Sequence, residues 1–153
     1  MAASDEFAVE MAQMFTGGVA YAMGVPEAEK DWDRSSPTNF VQKIDQGTGL
    51  KVWTQVVADP GAAVQRRIKI LCDDEPVLPE PTAGMPFVAV EFVGMTARPW
   101  MNDRGCKPGQ GRRCGCRVEL SIRARGVRAI GQPGQPGQAR PTRHHTEPGD
   151  AAA

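Results

Sequence analysis

The side chains best suited to hold a flat ligand lie on a predicted strand that follows a Gly-containing turn. In the segment TGLKVWTQVVADP, Thr48 to Pro60, the largest side chain is Trp53, and its neighbours on one strand face include a lysine and a glutamine. The next predicted strand, QRRIKILCD, carries Arg67 and Lys69 at alternate positions. If the outer faces of these strands adjoin, the indole lies beside two cations, as in sites where bases stack on a ring and phosphates meet cations. We therefore predict Trp53, Arg67 and Lys69 as nucleic-acid-binding residues.

A packing role is the alternative interpretation of Trp53. The segment 27–47 is polar and punctuated by serine and proline, which predicts a long loop that contains Trp32 and Phe40. In this interpretation Trp53 packs beneath the loop against one of those rings. Its N–H then donates to a loop carbonyl, since a buried indole N–H normally finds an acceptor. The direction in which Trp53 points decides between the two interpretations.

A second group of basic residues surrounds an aromatic one in a long hairpin connection, ARPWMNDRGCKPGQGRRCGCR. Hairpin loops usually contain about two to five residues, so a connection of this length is unusual. Cations that flank an aromatic ring suit a phosphate backbone, and such binding weakens steeply as salt rises. The alternative is a solvated, Gly-rich hairpin whose arginines keep the protein soluble. The nucleic-acid-binding residues predicted here and on the following strand are Arg98, Trp100, Arg104, Lys107, Arg112, Arg113, Arg123 and Arg125.

Three cysteines of the same loop, Cys106, Cys114 and Cys116, have the spacing C-x7-C-x-C. Structural zinc takes four ligands near a tetrahedron, and its usual knuckles contain C-x2-4-C pairs. A fourth ligand would come from one of Cys72, Asp103, His144 and His145. The three cysteines are therefore candidate metal ligands for zinc, with free thiols as the alternative. The sequence predicts no other cofactor.

Residues for catalysis are poorly represented. The two histidines, His144 and His145, lie in a Pro/Gly/Gln-rich C-terminal segment, which argues against histidine acid–base chemistry. The sequence lacks the G-x4-G-K-[ST] pattern of a phosphate loop. The acidic run Asp73–Glu75 precedes prolines in a predicted loop, where such runs are usually solvated. We predict a protein that is not an enzyme.

Charge is balanced overall but unevenly distributed along the 153 residues. Eighteen basic residues oppose 18 acidic ones, so net charge gives no argument for nucleic acid. Residues 5–33 are acidic and residues 98–128 are basic, so the folded chain can still present a positive face. No run of about 18 apolar residues is present, and the N-terminus lacks the pattern of a secretory signal. We expect a cytoplasmic protein without membrane association, whose cysteines are thiols or metal ligands rather than disulfides.

Five segments with alternating apolar residues are the predicted strands. They lie near residues 18–25, 50–58, 65–73, 85–100 and 116–130, with a bend near Gly94 in the fourth. In the fifth, Val118, Leu120, Ile122 and Ala124 share the face expected to be buried.

Little helix and many short strands favour a closed barrel, because closure removes unpaired sheet edges. The predicted fold class is all-β, a small five-stranded OB-like barrel with long loops over residues 18–130. Residues 1–17 are predicted to form a flexible segment or a short helix. Residues 131–153 lack core residues and are predicted to be a disordered tail.

Several segments, taken in order, resemble one known family. They are Lys30-Asp31-Trp32-Asp33, Val41-Gln42 with Thr48-Gly49-Leu50 and Val52-Trp53, Gly84-Met85-Pro86-Phe87, and Arg123-Ala124-Arg125-Gly126-Val127-Arg128. The pattern resembles the plasmid replication, integration and excision activator family, which actinobacterial integrative plasmids carry. The resemblance implies a role in maintaining or mobilising a plasmid-like element, and it supplies no catalytic residues. The insertion RGCKPGQGRRCGC lies outside the shared pattern.

Together these observations predict a non-enzymatic accessory protein for plasmid replication, integration or excision. Its expected partner is nucleic acid, single-stranded DNA in particular, held on a basic, Trp-bearing face of the barrel. The alternative is a protein-interaction adaptor that recruits a replication or recombination enzyme without touching DNA. In that case the acidic segment 27–33 would make the contact.

Overall fold

Over the residues that the structure describes, the chain folds as one curled sheet of eight strands, a half-barrel with almost no helix. The computed structural model describes residues 5–81, 83–106 and 115–130. The strands are β1 (Phe7–Ala8), β2 (Ala20–Ala28), β3 (Val52–Asp59), β4 (Val64–Leu71), β5 (Val88–Val93), β6 (Thr96–Asn102), β7 (Arg117–Ala124) and β8 (Gly126–Ala129). One short helix, α1 (Met11–Met14), and a 3-10 turn over Thr16–Gly18 precede β2.

The all-β class is confirmed, and the predicted tail 131–153 lies outside the described residues. No helix in the described ranges has the length and apolar character needed to cross a membrane.

Strand pairing is antiparallel everywhere except between β4 and β7. The order across the sheet is β1-β6-β7-β4-β3-β2-β5-β8. The segments β2, β3 and β4 form a meander, and β2 pairs on its other side with β5. The parallel pairing brings β7 beside β4, with Ile68 opposite Ile122. Residues that are distant in the sequence therefore share one sheet surface.

Two bends divide the predicted fourth and fifth strands. The predicted bend near Gly94 is confirmed, because Gly94 has φ +61° and separates β5 from β6. A Cβ added there would lie 3.0 Å from Cγ of Arg125, so both the backbone conformation and the space favour glycine. Arg125 forms the second bend, between β7 and β8, and its N–H donates to the carbonyl of Val93 at 2.8 Å. The two bends therefore pack against each other and curl the sheet.

The core lies inside the curl, where alternate residues of β3, β4, β5 and β7 meet. Ile68, Ile70 and Val90 are fully buried, and Ile122 is 3 % exposed. Burial of each such side chain stabilises the fold by about 1.5–3 kcal/mol relative to its exposure. The same alternation directs Arg67 and Lys69 of β4 to the outer surface, since side chains of a strand alternate between the two faces.

The outer end of β7 departs from the predicted burial. Val118 and Leu120 were expected in the core with Ile122 and Ala124, but they are 65 % and 44 % exposed. The alternation itself persists, because Leu120 pairs with Pro99 and Ile122 with Ala97 on one face. The β6–β7 hairpin extends past the core, so this end of the face has little to cover it. The prediction was therefore wrong for Val118 and Leu120.

The N-terminal segment packs into the half-barrel. The buried residues of this segment are Val9, Met11, Met14 and Phe15. The Phe15 and Phe92 rings stack with centroids 6.3 Å apart, and the N–H of Phe92 donates to Sδ of Met11 at 3.4 Å. In the part of this segment that the structure describes, Met11–Met14 form a short helix, and that helix contributes to the core.

Asp59 fastens the N-terminal segment to the end of β3. It is 2 % exposed, and its carboxylate accepts the N–H of Thr16 at 3.1 Å, the Thr16 hydroxyl at 3.4 Å and the N–H of Ala62 at 3.4 Å. The Thr16 N–H lowers the pKa of Asp59 most. Desolvation opposes it, and the net pKa lies below its ordinary value.

This pKa shift predicts an acid dependence of stability. Because the folded pKa lies below the unfolded one, the contribution is present above the unfolded pKa of about 3.9 and is lost as pH falls through the folded pKa. We expect Asp59→Asn to lower the free energy of unfolding at neutral pH and to flatten its decrease in acid. Urea unfolding across the acid range measures both effects. Asp33→Asn, a matched change at an exposed carboxylate, should leave the acid dependence as in the wild type; an equal effect of both variants would contradict this role.

Candidate nucleic-acid interface

The outer face of β4, β7 and β6 gathers basic residues from three strands. Lys69 lies opposite Arg123 in the parallel pair, and Arg123 lies opposite Thr96 on β6. Two residues earlier on β7, Ser121 lies opposite Arg98. Arg67 shares this face, because it is two residues before Lys69 on β4. The register thus brings together cations that the sequence separates by more than 50 positions.

Trp53 does not belong to this face. It pairs with Ile70, whereas Lys69 pairs with Thr54 and Arg67 with Val56, so the indole lies on the inner side of the sheet. The ring packs against the core while half-buried, and its Nε1–H donates to the carbonyl of Cys72 at 3.0 Å. The prediction that Trp53 stacks beside Arg67 and Lys69 was therefore wrong.

Part of the alternative interpretation is confirmed. Trp53 packs, and its N–H finds a carbonyl, but that carbonyl belongs to the residue that follows β4. The rings expected to cover it remain mostly exposed, Trp32 at 79 % and Phe40 at 56 %. Nζ of Lys30 lies 4.5 Å from the centroid of the Trp32 ring.

Trp100 is the indole that shares the basic face. It pairs with Glu119 on β7 and follows Arg98 by two positions, so both side chains lie on the outer surface. Trp100 is 44 % exposed. Arg104 is exposed in the turn that follows β6. Lys107, Arg112 and Arg113, which were predicted to join them, lie outside the described residues.

A cleft of about 510 Å³ separates this face from the loop that joins β2 to β3. The wall formed by the sheet contains Thr96, Arg98, Arg123 and Arg125. The wall formed by the loop runs from Lys43 to Thr48, and Glu6 closes one end. Four cations and two carboxylates therefore line the cleft, which leaves it positive.

Loop carboxylates neutralise two cations of the face. Asp45 Oδ1 accepts from Nη1 of Arg123 at 3.0 Å, and Oε1 of Glu29 accepts from Nζ of Lys69 at 3.3 Å. Desolvation raises the pKa of Asp45. Hydrogen bonds from Thr48 and the charge of Arg123 outweigh that effect, so the pKa lies below its ordinary value. The partners of the first pair are separated by 78 positions in the sequence and those of the second by 40. No pattern in the sequence predicted either pair.

Three further cations of the face keep their charge unpaired, whereas Arg117 pairs with Glu119 on the same strand. In the described ranges, Arg67, Arg98 and Arg125 take part in no ion pair, and all three are exposed. An exposed guanidinium presents five N–H donors in a planar fork that matches a phosphate. The geometry can therefore hold an anionic, partly aromatic ligand on this surface.

The cysteine loop contains a disulfide, whereas thiols or metal ligands were predicted. Cys106 and Cys116 form a disulfide across the base of the loop between β6 and β7, and Cys114 lies outside the described residues. The expectation that the cysteines avoid disulfides was therefore wrong for this pair. Two bonded sulfurs supply no thiolate to a metal, so zinc at Cys106, Cys114 and Cys116 requires the reduced form of the protein. Cys72 is a free thiol, and burial, followed by Asp73 and Asp74, raises its pKa.

No protein-family model, curated protein sequence or solved structure matches this chain significantly. The resemblance to the plasmid replication, integration and excision activator family therefore remains a hypothesis that depends on the sequence segments alone.

Proposed function

We propose that this protein is a non-enzymatic binder of single-stranded DNA, which it holds on the outer face of β4, β6 and β7. The observation that carries the proposal is the convergence of three unpaired arginines, Arg67, Arg98 and Arg125, with the exposed indole of Trp100 on one face of the sheet. Two of these arginines, Arg98 and Arg125, also line the cleft. Cations bind phosphates whatever the sequence, and an exposed ring stacks on any base. The combination suits a strand whose bases are unpaired.

We further propose that the sheet is a barrel of the OB type. If each bend is counted as part of one strand, β5 and β6 form one long strand, and β7 and β8 form another. Together with β2, β3 and β4 they make five strands. The antiparallel meander β2-β3-β4, the parallel β4–β7 pair and the β2–β5 pair support this interpretation. β1 is then an addition at the edge of β6.

In the proposed barrel type, part of the basic face lies where OB barrels bind oligonucleotides. OB barrels bind oligonucleotides on their second and third strands and on two loops, between strands one and two and between strands four and five. The corresponding parts of this chain are the face of β3 and β4, the loop 29–51 and the connection between β6 and β7, and β4 is the strand that the basic face shares with them. The cleft lies beside the loop 29–51. Trp100 lies near the end of β6, and Arg104 lies in the connection that follows it.

The proposed biological role follows from the family resemblance. An accessory DNA binder would serve plasmid replication, integration or excision by holding strands that another protein opens or joins. A cytoplasmic location fits that role, and the reducing conditions there would favour the thiol form of Cys106 and Cys116. Replication or recombination proteins would then be its partners at the DNA.

The proposal predicts a salt-sensitive interaction that depends on Trp100. We expect Trp100→Ala to weaken binding of a fluorescent oligothymidylate about tenfold, since each stacked base contributes about 1–3 kcal/mol. Fluorescence anisotropy at low and moderate salt measures the affinity, and the wild-type affinity should fall as salt rises. Trp32→Ala, which removes an exposed indole outside the basic face, is the control. Absence of binding by the wild type at low salt would overturn the proposed function.

A protein-interaction adaptor is the second candidate, and one observation favours it. The loop segment 30–42 is held by backbone bridges between Lys30 and Gln42 and between Ser36 and Asn39. It presents Trp32 at 79 % exposure and Phe40 at 56 % exposure. Exposed aromatic residues on an ordered element are frequent anchors of protein interfaces. If DNA binding is absent, this segment becomes the preferred contact for a protein partner.

A further inference from the structure

We infer that Asp45 competes with nucleic-acid phosphate for Arg123, so that the β2–β3 loop limits the affinity of the basic face; the inference rests on the proposed function. The two groups form an ion pair at 3.0 Å inside the cleft. A phosphate that enters the cleft meets Arg98 and Arg125 directly. It reaches the Arg123 guanidinium only by replacing the Asp45 carboxylate.

The carboxylate is positioned by its own turn and needs no help from Arg123. Asp45 Oδ2 accepts the Thr48 N–H at 3.0 Å and the Thr48 hydroxyl at 2.8 Å. The backbone closes the same turn, because the Gly49 N–H donates to the Asp45 carbonyl and the Asp45 N–H donates to the Leu50 carbonyl, both at 2.8 Å. With Oδ2 fixed in this way, Oδ1 is directed at Arg123. The loop thus supplies a preformed anion.

A carboxylate and a phosphate use the same recognition by arginine. Both present oxygens that accept from the guanidinium fork, and both form charge-assisted hydrogen bonds. The side chains of Arg123 and Asp45 are 24 % and 11 % exposed, so solvent screens the pair less than it screens a surface pair. The bond to Asp45 must therefore break before Arg123 binds DNA, and that requirement reduces the affinity.

The opposite end of the same loop repeats the arrangement. Glu29 accepts from Lys69 at 3.3 Å, and Lys69 lies directly opposite Arg123 in the sheet. Glu29 also accepts from Lys43 at 3.4 Å, and the side chain of Lys43 is 47 % exposed. Asp45 is the more selective of the two acids, because in the described residues Arg123 is its one ionic partner. The test therefore begins with Asp45.

Asp45→Asn tests the inference in the full-length protein. The asparagine oxygen can still accept from Thr48, but the negative charge on Arg123 is gone. The ligand is an oligothymidylate longer than the roughly 4–16 nucleotides that one OB fold covers. We expect the variant to bind it about tenfold more tightly than the wild type does, as one additional charged contact would give. The slope of log affinity against log salt should become steeper by about 0.7, the value for one further phosphate on a single strand.

Asp33→Asn is the matched control, because it removes one negative charge at an exposed position of the same loop. We expect less than about a twofold change in its affinity, as for a charge outside the contact. Asp45→Ser provides a second variant that keeps a hydroxyl for the turn, in case the asparagine variant unfolds. Thermal unfolding checks both proteins before the titrations.

The outcomes separate the inference from the proposed function. Tighter binding with a steeper salt slope for the Asp45 variants, and not for Asp33→Asn, supports competition for Arg123. Equal affinities of wild type, Asp45→Asn and Asp33→Asn overturn the inference and leave the proposed function in place. Weaker binding by a folded Asp45 variant also overturns it, since the acid would then position Arg123 for DNA. Absence of binding by all proteins overturns the proposed function, and the inference falls with it.

Discussion

Single-stranded DNA is expected to bind the double variant Arg98→Ala/Arg125→Ala about 100-fold more weakly than the wild-type protein, a loss of about tenfold for each charged contact. Both side chains line the cleft and are exposed, and neither forms an ion pair in the part of the chain that the structure describes. Their charge is therefore available to phosphate without a competing carboxylate. The salt dependence should also decrease, by about 0.7 in slope for each contact that is lost. Anisotropy titrations over a salt series measure both quantities.

The matched control for this prediction is the double variant Arg34→Ala/Lys51→Ala. It removes the same number of positive charges from exposed positions outside the cleft. Long-range attraction depends on net charge, whereas direct contact depends on position, and charges more than a Debye length of about 8–10 Å away are largely screened. We expect the control to lose about threefold or less. Equal losses in the two double variants would show attraction by net charge alone and would contradict a defined site on this face.

The strands of the fold could be predicted because the alternation of apolar and polar residues along a strand is a local property of the sequence. In β4, Ile68 and Ile70 alternate with Arg67 and Lys69, and the structure buries the first pair and turns the second outward. The bend near Gly94 could also be predicted, since a glycine within an apolar strand often marks such a point. These signals lie within a few residues of each other. They require no knowledge of which strands become neighbours.

The direction of Trp53 could not be read in the same way. In β3 the inner face carries Gln55 and Asp59, which are 0 % and 2 % exposed, so the buried side looks polar in the sequence. Gln55 is held there by donating Nε2–H to the carbonyls of Met23 and Val56 at 3.3 and 2.8 Å. Val52 lies on the opposite face and is nevertheless 3 % exposed. Both faces of β3 are therefore mixed, and alternation alone cannot assign the inside.

The candidate site was predictable in its composition and not in its arrangement. The concentration of arginine between residues 98 and 128 indicated a positive surface, and the register of β4, β7 and β6 places Arg98 and Arg123 on one face. The pair formed by Asp45 and Arg123 depends on where a loop of about twenty residues folds back. That position is set by tertiary packing, and no local pattern encodes it.

Trp53→Ala is expected to destabilise the protein strongly and to leave the DNA affinity of the folded protein unchanged. Replacing a core tryptophan by alanine costs about 3–5 kcal/mol. Trp53 is half-buried, so we expect about 2–4 kcal/mol in the free energy of unfolding. The loss combines the packing of the ring against the core with the hydrogen bond from Nε1–H to the Cys72 carbonyl. Urea unfolding followed by circular dichroism measures it.

Two further variants assign this effect to its cause. Trp53→Phe keeps most of the ring and removes the N–H, so it should cost about 1 kcal/mol, the value of one hydrogen bond. Trp32→Ala removes an indole that is 79 % exposed, and its effect should stay within about 0.5 kcal/mol, as for other surface substitutions. If Trp53→Ala instead kept wild-type stability and lost DNA binding, the ring would be a stacking platform. The register that pairs it with Ile70 on the inner side of the sheet predicts the opposite.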